Sequence, residues 1–402
     1  MDISNISISF FLIVTIMYLW WLLIIYKKDM IKSIYFIYYC FNFTVFYGPI
    51  LYYRLGFDGY IHAIKYEAFL IFYYISILVA GLNMAFYLYI TKFKLTILKN
   101  FLQKLSFDKI TNHKLLTHYF VIVNVVCLVY ILIYRQYFPL TKLINQGELG
   151  ERLDASGAIP FYISFSTLFM VVIPSSFLYF RQRLKNKFII TILFLFTLFA
   201  LSAGGNKGII SFFLIFYLLL CTKKQSIFKY IVLFFTLAII YLVFKGYTEY
   251  NADTLEYLIE SPFRRLFAAQ GSGFIVRIDM MLNNLFIEGY EIKQQVYARI
   301  YNSYIGFGSS PTHFIGDVIV KYGFGIALIL YLIYLSFFTR ILVTVSNTYK
   351  SDVKSSFIVW NFFVIAFITT NSDITLANFL RTVVVIFNLL MISYVSKVKT
   401  KI

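Results

Sequence analysis

The sequence has few of the residues that stabilise small soluble or secreted domains. Its 402 residues include 3 cysteines, 6 prolines and 19 glycines, and only 13% of the residues are charged. The cysteines, Cys40, Cys127 and Cys221, lie in or beside apolar segments, so no disulfide framework is indicated. There is no repeat of fixed period and no low-complexity linker. A single domain spanning residues 1–402 is therefore the simplest organisation.

The sequence also lacks the residue patterns that bind metal ions. It has 4 histidines, and it contains no His/Cys cluster, no HExxH motif and no DxD-like pair of acids. We therefore predict that the protein uses no metal and no cofactor. The missing acid pair also argues against metal-assisted transfer from a nucleotide sugar.

Long apolar runs dominate what the sequence does contain. Hydrophobic residues make up 60% of the chain, and many runs can cross roughly 30 Å of hydrocarbon at about 1.5 Å per helical residue. We predict an all-α polytopic membrane protein with about eleven transmembrane helices. The first run lacks a basic leader and a small-residue cleavage site, so we expect it to be a retained span. The predicted spans are residues 6–26, 33–53, 68–90, 119–134, 159–180, 188–202, 208–222, 230–244, 314–343, 356–370 and 376–395.

The distribution of charge predicts how these spans are oriented. The formal net charge is +18, and segments rich in Lys and Arg follow alternate spans, which is the pattern of cytoplasmic loops. This places the N-terminus outside and the C-terminus in the cytoplasm, with larger extracytoplasmic loops at about residues 135–158 and 245–313. In a soluble chain such a charge would indicate nucleic acid, but membrane orientation explains it here, so no nucleic-acid partner is predicted.

The longer loop contains the pattern of a short helix. Ser261 and Pro262 form a helix-start signal, and residues 270–273 (Gln-Gly-Ser-Gly) form a stop signal. Between them the apolar side chains share one face, with Arg264 and Arg265 towards the other side. We predict a short amphipathic helix that lies on the membrane surface or roofs a cavity.

Basic residues at membrane depth are candidates for binding an anionic ligand. Lys207 lies in a turn between two short spans, and Arg381 lies inside the last span. Such charges cost a few kcal/mol unless they face water or a partner. The alternatives are snorkelling to the interface or pairing with acids such as Asp373. With Arg264 and Arg265 on the same predicted side, these cations favour a phosphate or pyrophosphate site.

One histidine and several acids are candidates for proton transfer. His313 lies where the second loop re-enters the membrane, and Asp317 follows four residues later, a spacing that puts both on one face of a helix. A neutral imidazole there can accept a proton from a sugar hydroxyl, or it can be only a hydrogen-bonding group at the interface. Glu148, Glu151 and Asp154 in the first loop are alternative bases.

Two short segments resemble the O-antigen polymerase (Wzy-type) family and the related O-antigen ligases. One is the turn SAGGNKGIISFFL at residues 202–214, similar to the G-S-R-G turn of these enzymes with Lys207 in the place usually held by Arg. The other is THFIGDVIVKYGFGIAL at residues 312–328, similar to the H-N-x-x-L … G-x-x-G re-entry segment through His313, Gly323 and Gly325. Two large outer loops separated by a group of spans match as well.

The resemblance implies a metal-independent glycosyltransferase that polymerises undecaprenyl-pyrophosphate-linked oligosaccharide repeat units into O-antigen or capsular-type polysaccharide. It implies a multi-pass protein of the bacterial plasma (inner) membrane whose active site faces the periplasm or the cell exterior. The partners would be undecaprenyl-pyrophosphate-linked oligosaccharides and membrane lipids, with a chain-length regulator as a further candidate. The catalytic residues would be His313, Arg277 and Arg265. The residues binding the pyrophosphate would be Arg152, Lys207, Arg264, Arg299 and Arg381.

Other functions fit the same architecture. A lipid-linked oligosaccharide flippase would move its substrate without making a bond, and it predicts charges in both halves of the bundle and broken helices. The sequence instead places its spare charge and loops on one side, which favours the polymerase. An O-antigen ligase would use a different acceptor. Residues 313–314 are His-Phe where the ligase motif has His-Asn, and this difference weakly disfavours the ligase. A purely structural membrane protein would not require Lys207 and Arg381 at membrane depth.

Overall fold

The structure is a computed structural model in which every regular element of the described residues is helical. The described residues are 8–27, 34–57, 60–90, 95–106, 109–138, 157–203, 209–210, 212–214, 216–217, 264–305, 310, 312–349, 353–371 and 376–397. The span predicted at residues 230–244, and most of the one at residues 208–222, lie outside them.

The α-helices follow one another along the chain with bounds close to those of the apolar runs. They are α1 (Ile8–Lys27), α2 (Ile34–Asn42), α3 (Gly48–Arg54), α4 (Tyr66–Ile90), α5 (Thr96–Lys104), α6 (His113–Ile133), α7 (Tyr162–Arg183), α8 (Lys187–Ala203), α9 (Ala269–Leu282), α10 (Ile292–Tyr301), α11 (Ile315–Thr348), α12 (Ser356–Asn371) and α13 (Leu376–Lys397). The π-helical turns Phe43–Tyr47 and Arg264–Ala268 lead into α3 and α9, and 3₁₀ turns occupy Ile61–Ala63 and Val353–Ser355.

Several of these helices are long and apolar enough to cross a membrane. Among the described residues, five regions satisfy both conditions: Tyr66–Tyr89, His113–Ile133, Tyr162–Arg183, Ile315–Thr348 and Asn378–Lys397. Shorter apolar helices occupy Ser9–Ile24, Lys187–Ala203 and Ser356–Thr369. The predicted class, a helical membrane-embedded protein, is confirmed. The number of about eleven spans and their orientation stay predictions.

Contacts within the chain divide it into two compact units, which are described separately. Unit 1 comprises Met1–Lys94, Gln225–Val343 and Ala366–Ile374. Unit 2 comprises Leu95–Lys224, Thr344–Ile365 and Thr375–Ile402. The organisation of residues 1–402 as one domain stays a prediction.

Unit 2 contains a chain of buried hydrogen bonds between uncharged side chains. The Tyr119 hydroxyl donates to Oδ1 of Asn388 at 2.9 Å, and Nδ2 of Asn388 donates to Oδ1 of Asn361 at 2.8 Å. Nδ2 of Asn361 then donates to Oγ of Ser175 at 3.1 Å. These residues lie on α6, α13, α12 and α7. Because lipid cannot hydrogen-bond to exposed polar groups, such bonds help to specify which helices pack together.

Unit 1 has α9 in its interior, where every residue from Gly271 to Met280 is buried. Two glycines allow the backbones to approach closely at this point. A Cβ added to Gly271 would overlap Cγ of Pro49, and one added to Gly48 would lie 2.6 Å from the carbonyl oxygen of Phe267. Close helix crossings at small residues are typical of membrane proteins, where van der Waals packing drives helix association.

The position of α9 corrects one expectation drawn from the sequence. The helix does not stop at residues 270–273 but continues to Leu282, because Gly271 and Gly273 serve close packing and do not end the helix. α9 itself packs against α4 and the π-helical turn Phe43–Tyr47, whereas the predicted position of the preceding arginine-bearing turn, on the membrane surface or roofing a cavity, stays a prediction. The expected outer loop at residues 245–313 thus contains two helices, α9 and α10.

α11 is broken at Gly323, which has φ 76° and ψ 177°. This conformation is open to glycine and strained for other residues. The ring centroids of His313 and Tyr331 are 5.8 Å apart, whereas in a continuous helix the residues between them would span roughly 27 Å. The chain therefore folds back at Gly323, and residues 315–322 form a short helix that packs against the beginning of residues 324–348.

Because of this hairpin, residues 314–343 do not form the single continuous span that the sequence predicted. Despite Asp317 and Lys321 in the short arm, residues 315–348 together form one sufficiently apolar stretch, so their composition does not reveal that the chain reverses between the two arms. The second arm, residues 324–348, still exceeds the roughly 20 residues that a transmembrane helix needs. Asp317 consequently lies on the short arm, and His313 lies directly before it.

We expect Gly323→Ala to destabilise the protein by about 1–3 kcal/mol, because alanine would have to adopt a positive φ. No atom lies within 4 Å of the added Cβ, so the effect would come from the backbone alone. The matched control is Gly325→Ala, which also meets open space but has no positive φ. That change should leave stability unchanged or raise it by up to about 1 kcal/mol. Thermal unfolding of the two purified variants measures both effects. If Gly323→Ala were as stable as Gly325→Ala, the hairpin would be contradicted.

Candidate functional site

The side chain of Arg277, on α9, is completely buried in unit 1. Its Nε donates to Oδ1 of Asp317 at 2.8 Å. Its Nη1 donates to the carbonyl oxygen of Gly273 at 2.9 Å, and its Nη2 donates to that of Ser310 at 3.0 Å. Because Asp317 lies on the short arm of the hairpin, this guanidinium joins α9, the peptide at Ser310 and the hairpin.

Two glycines leave the space that the Arg277 side chain occupies. A Cβ added to Gly316 would lie 2.7 Å from Cδ of Arg277, and one added to Gly273 would lie 2.9 Å from Oγ of Ser310. Gly316 directly precedes Asp317, so the residue that makes room for the arginine stem is adjacent to the one that neutralises its charge. The packing and the charge of Arg277 therefore explain why Gly316 and Asp317 are adjacent in the sequence.

The Arg277–Asp317 pair is held in surroundings where an unpaired charge would be costly. Removing two charges from water costs several kcal/mol per ion, and a buried pair is tolerated only when further hydrogen bonds satisfy both partners. The side chain of Asp317 is only 15% exposed, and the guanidinium also bonds two carbonyl oxygens. A substrate phosphate would have to compete with these bonds, so the geometry favours Arg277 as an anchor of the hairpin.

His313 lies directly before the short arm and is fully buried. Its imidazole packs among aromatic rings, with centroid distances of 5.4 Å to Phe46 and 4.8 Å to Phe314. On the long arm, Tyr331 and Tyr334 lie 5.8 and 6.1 Å away. The expected shared helical face of His313 and Asp317 is not formed as predicted, because His313 precedes the helix and Asp317 turns to Arg277.

The hydrogen bonds of His313 indicate which ring nitrogen carries the proton. The backbone N–H of Ile315 donates to Nδ1 at 3.4 Å, a long hydrogen bond. In a neutral imidazole an accepting Nδ1 assigns the hydrogen to Nε2. Nε2 is buried and finds no partner among the described residues. The site therefore presents an unused N–H donor, which fits the hydrogen-bonding alternative for His313 better than the proton-accepting one.

Burial lowers the pKa of the His313 imidazole to about 3. The cause is desolvation, because an apolar surrounding disfavours the charged imidazolium. His313 is therefore neutral at physiological pH, which agrees with a hydrogen-bond donor at Nε2 and an acceptor at Nδ1. A neutral histidine of this kind can polarise a ligand oxygen without carrying charge itself.

Other predicted cations of unit 1 lie on the helices around this site. Arg264 is half-buried in the π-helical turn, with its Cζ 5.6 Å from the ring centroid of Tyr60. Arg265 is in the same turn, and its side chain lies outside the described residues. Arg299, on α10, has Nη1 3.9 Å from Oδ2 of Asp279 and is about one third exposed. The structure thus brings Arg299 to α9 through Asp279, two residues after Arg277.

The remaining predicted cations belong to unit 2 or lie outside the described residues. Arg381 belongs to unit 2, where its Nη1 donates to Oδ1 of Asn378 at 2.8 Å. Arg152 and Lys207, and the alternative bases in the first loop, lie outside the described residues. Within the described part of the chain there is no group of three or more His, Cys, Asp and Glu that could hold a metal ion.

Sequence reasoning missed several residues that shape the site. Ser310 contributes only its peptide group, which no side-chain pattern can reveal. Tyr331 accepts a hydrogen bond from Nδ2 of Asn83 at 2.7 Å, and Tyr334 donates to Oγ1 of Thr369 at 3.1 Å. The two tyrosines are three residues apart on an apolar helix, a spacing that could have marked them as one polar stripe.

We expect Arg277→Ala to lower the free energy of unfolding by about 3–5 kcal/mol, because it leaves Asp317 buried and unpaired. Arg299→Ala is the matched control, since its ion pair is long and partly exposed and should contribute at most about 1 kcal/mol. Thermal unfolding of both variants in the same detergent gives the comparison. If Arg277→Ala costs no more than Arg299→Ala, the buried pair is not the anchor of the hairpin.

The lowered pKa of His313 predicts a loss of stability in acid. The unfolded chain binds a proton at its imidazole below the ordinary value of 6.5, whereas the folded protein does so only near 3. This contribution is complete above pH 6.5 and is lost as the pH falls towards 3. His313→Gln should therefore lose less stability than the wild type between about pH 7.5 and about pH 5. An identical pH dependence in thermal unfolding would contradict a neutral buried imidazole.

No family model, curated protein or solved structure matches this chain.

Proposed function

We propose that the protein is a metal-independent glycosyltransferase that joins undecaprenyl-pyrophosphate-linked oligosaccharide repeat units into a polysaccharide. The observation that carries the proposal is the unused Nε2–H of His313, held on a hairpin that the Arg277–Asp317 pair anchors. The segment is the same one that resembles the re-entry motif of O-antigen polymerases. We place the protein in the bacterial plasma membrane with this site on the outer side, where the lipid-linked units are its partners.

The reaction needs a group that stabilises a departing pyrophosphate. The acceptor hydroxyl attacks the anomeric carbon of the donor, a glycosidic C–O bond forms, and the bond to the pyrophosphate oxygen breaks with its electron pair. A hydrogen bond from Nε2–H of His313 to that oxygen would strengthen as charge develops, and such a donor contributes about 3 kcal/mol. The hydroxyl proton passes to a carboxylate acting as the base.

We propose that substrate reaches Nε2 when the side chain of Phe314 moves. His313 is buried, but Phe314, whose ring centroid lies 4.8 Å away, is itself only half-buried. Rotation of a partly exposed side chain is fast and inexpensive compared with opening a helix bundle. In this proposal Arg277 and Asp317 position the hairpin, whereas Arg264 and Arg299 are the described cations that remain candidates for the pyrophosphate.

A lipid-linked oligosaccharide transporter is a second candidate, and the break at Gly323 is the observation that favours it. Discontinuous helices are a recurrent feature of substrate sites in transporters, where they supply backbone groups at membrane depth. Here the break carries a fixed ion pair and a neutral imidazole, whose chemistry suits stabilising a leaving group. A transporter would move a lipid-linked unit across a bilayer without lengthening it, so the product of the purified protein separates the two functions.

We expect His313→Ala to lower the rate of polymer formation about 100-fold, because it removes a donor that acts in the transition state. His313→Gln should stay within about tenfold of the wild type, because an amide N–H donates without being basic. The measurement is the length of glycan formed by purified protein in liposomes containing a defined lipid-linked repeat unit.

The two histidine variants must first show wild-type thermal stability at neutral pH. Equal inactivity of His313→Gln and His313→Ala would assign the role to the basicity of the imidazole and overturn the donor mechanism. Translocation of the repeat unit by the wild type, with no lengthening, would reject the glycosyltransferase in favour of the transporter.

A further inference from the structure

A polar helix of unit 1 carries exposed tyrosine rings. α10 reads IKQQVYARIY, and it is not among the described helices apolar enough to cross a membrane. Tyr297 and Tyr301 lie one turn apart on it, with ring centroids 4.4 Å apart and an interplanar angle of 35°. Tyr301 is 47% exposed, and Tyr290 and Tyr304, which flank the helix in sequence, are 49% and 91% exposed. We call these residues the tyrosine surface.

The tyrosine surface is held in place from the interior of unit 1. The hydroxyl of Tyr301 lies 3.0 Å from that of Tyr60, and the two rings meet edge to face at 5.5 Å. Tyr60 is buried, and the guanidinium of Arg264 packs on its ring. Nε2 of His62 lies 2.9 Å from the carbonyl oxygen of Ile300. Because the side chain of Tyr301 is already fixed in this way, it loses less entropy when it binds a ligand.

The turn before α10 is fixed by one buried amide. Nε2 of Gln295 donates to the carbonyl oxygens of Ile287 at 2.7 Å and Tyr290 at 3.0 Å. Oε1 of Gln295 accepts from the backbone N–H of Ile287 at 3.0 Å. Three hydrogen bonds from one side chain thus hold the exposed Tyr290 in a defined position beside the helix.

The same helix is joined directly to the candidate catalytic site. The backbone N–H of Ser310 donates to the carbonyl oxygen of Lys293, on α10, at 2.9 Å. The carbonyl oxygen of the same Ser310 accepts from Nη2 of Arg277 at 3.0 Å. The backbone of one residue, Ser310, therefore connects the tyrosine surface to the guanidinium that anchors the hairpin of His313.

We propose that the tyrosine surface binds the sugar residues of a glycan chain and so holds the oligosaccharide next to the His313 hairpin. The axial C–H groups of a pyranose form an apolar face that packs on an aromatic ring, and the hydroxyl groups around it need hydrogen-bond partners. Tyrosine supplies both an apolar ring and a polar hydroxyl at low cost in side-chain entropy. This inference rests on the proposed function, because it names the part of the substrate that the site must hold.

The neighbours of the rings favour a glycan over lipid. Exposed aromatic side chains on the membrane-crossing helices, such as Tyr394 on α13, lie in apolar sequence. The tyrosines of α10 instead share their helix with the polar residues Lys293, Gln294 and Arg299, and the amide of the partly exposed Gln294 can meet sugar hydroxyls. Tyrosines at a membrane interface would equally bury one ring edge in lipid, and the experiment includes that outcome.

The test compares glycan binding by variants of the full-length protein in nanodiscs. The probe is the single repeat unit released by mild acid from the lipid-linked fraction of the cells that make the protein. We expect Tyr297→Ala and Tyr301→Ala to raise the Kd about tenfold each, and Tyr301→Phe, which keeps the ring, to raise it by less than about threefold. Tyr394→Ala removes an exposed tyrosine of unit 2 and should leave the Kd unchanged.

The outcomes separate this inference from the proposed function. Unchanged binding in the α10 variants, or binding weakened equally by Tyr394→Ala, would overturn the inference. A loss of stability in bilayers with unchanged glycan affinity would also overturn it, by assigning the rings to the membrane interface. The wild type could bind the glycan through the tyrosines, as shown by weaker binding of the variants, and yet form no polymer. That result would support the inference and reject the polymerase. Polymer formation with tyrosine-independent binding would reject the inference alone.

Discussion

The ion pair between Arg277 and Asp317 is the interaction on which the architecture of unit 1 depends. A charge inside a membrane protein is costly unless a partner neutralises it, and the guanidinium here also satisfies two backbone carbonyl oxygens. Through those three bonds one side chain holds an interior helix, the peptide at Ser310 and the short arm of a hairpin. The placement of His313, two residues before that arm begins, follows from this anchor.

The same anchoring determines what chemistry His313 can perform. Packing among aromatic rings keeps the imidazole neutral, and the N–H of Ile315 at Nδ1 leaves the hydrogen on Nε2. A neutral donor stabilises charge that develops on a ligand oxygen, whereas a base of such low pKa removes protons poorly. Of the two roles that the sequence leaves open for His313, burial therefore favours the hydrogen-bonding group over the proton acceptor.

Both units contain buried hydrogen bonds between uncharged side chains, and the described part of unit 1 adds a buried charge pair. Unit 2 links helices through Tyr119, Asn388, Asn361 and Ser175, all of them uncharged. Such bonds define helix neighbours at modest cost, because each group has its partner nearby. Unit 1 contains a full charge pair, and embedded charges mark functional sites in membrane proteins more often than simple packing contacts do. This contrast is a reason to place the chemistry in unit 1.

The sequence alone determined the helical membrane class, the approximate bounds of many helices, and the candidacy of His313 and Gly323, because hydrophobic runs and glycine are local signals. Only the tertiary structure decided that α9 lies inside unit 1, that the chain reverses at Gly323, and that Arg277 is committed to Asp317. Those features join residues far apart in the chain. Local periodicity carries no information about such contacts, since an apolar segment has the same sequence pattern whether it packs against lipid, a folded-back arm or another helix.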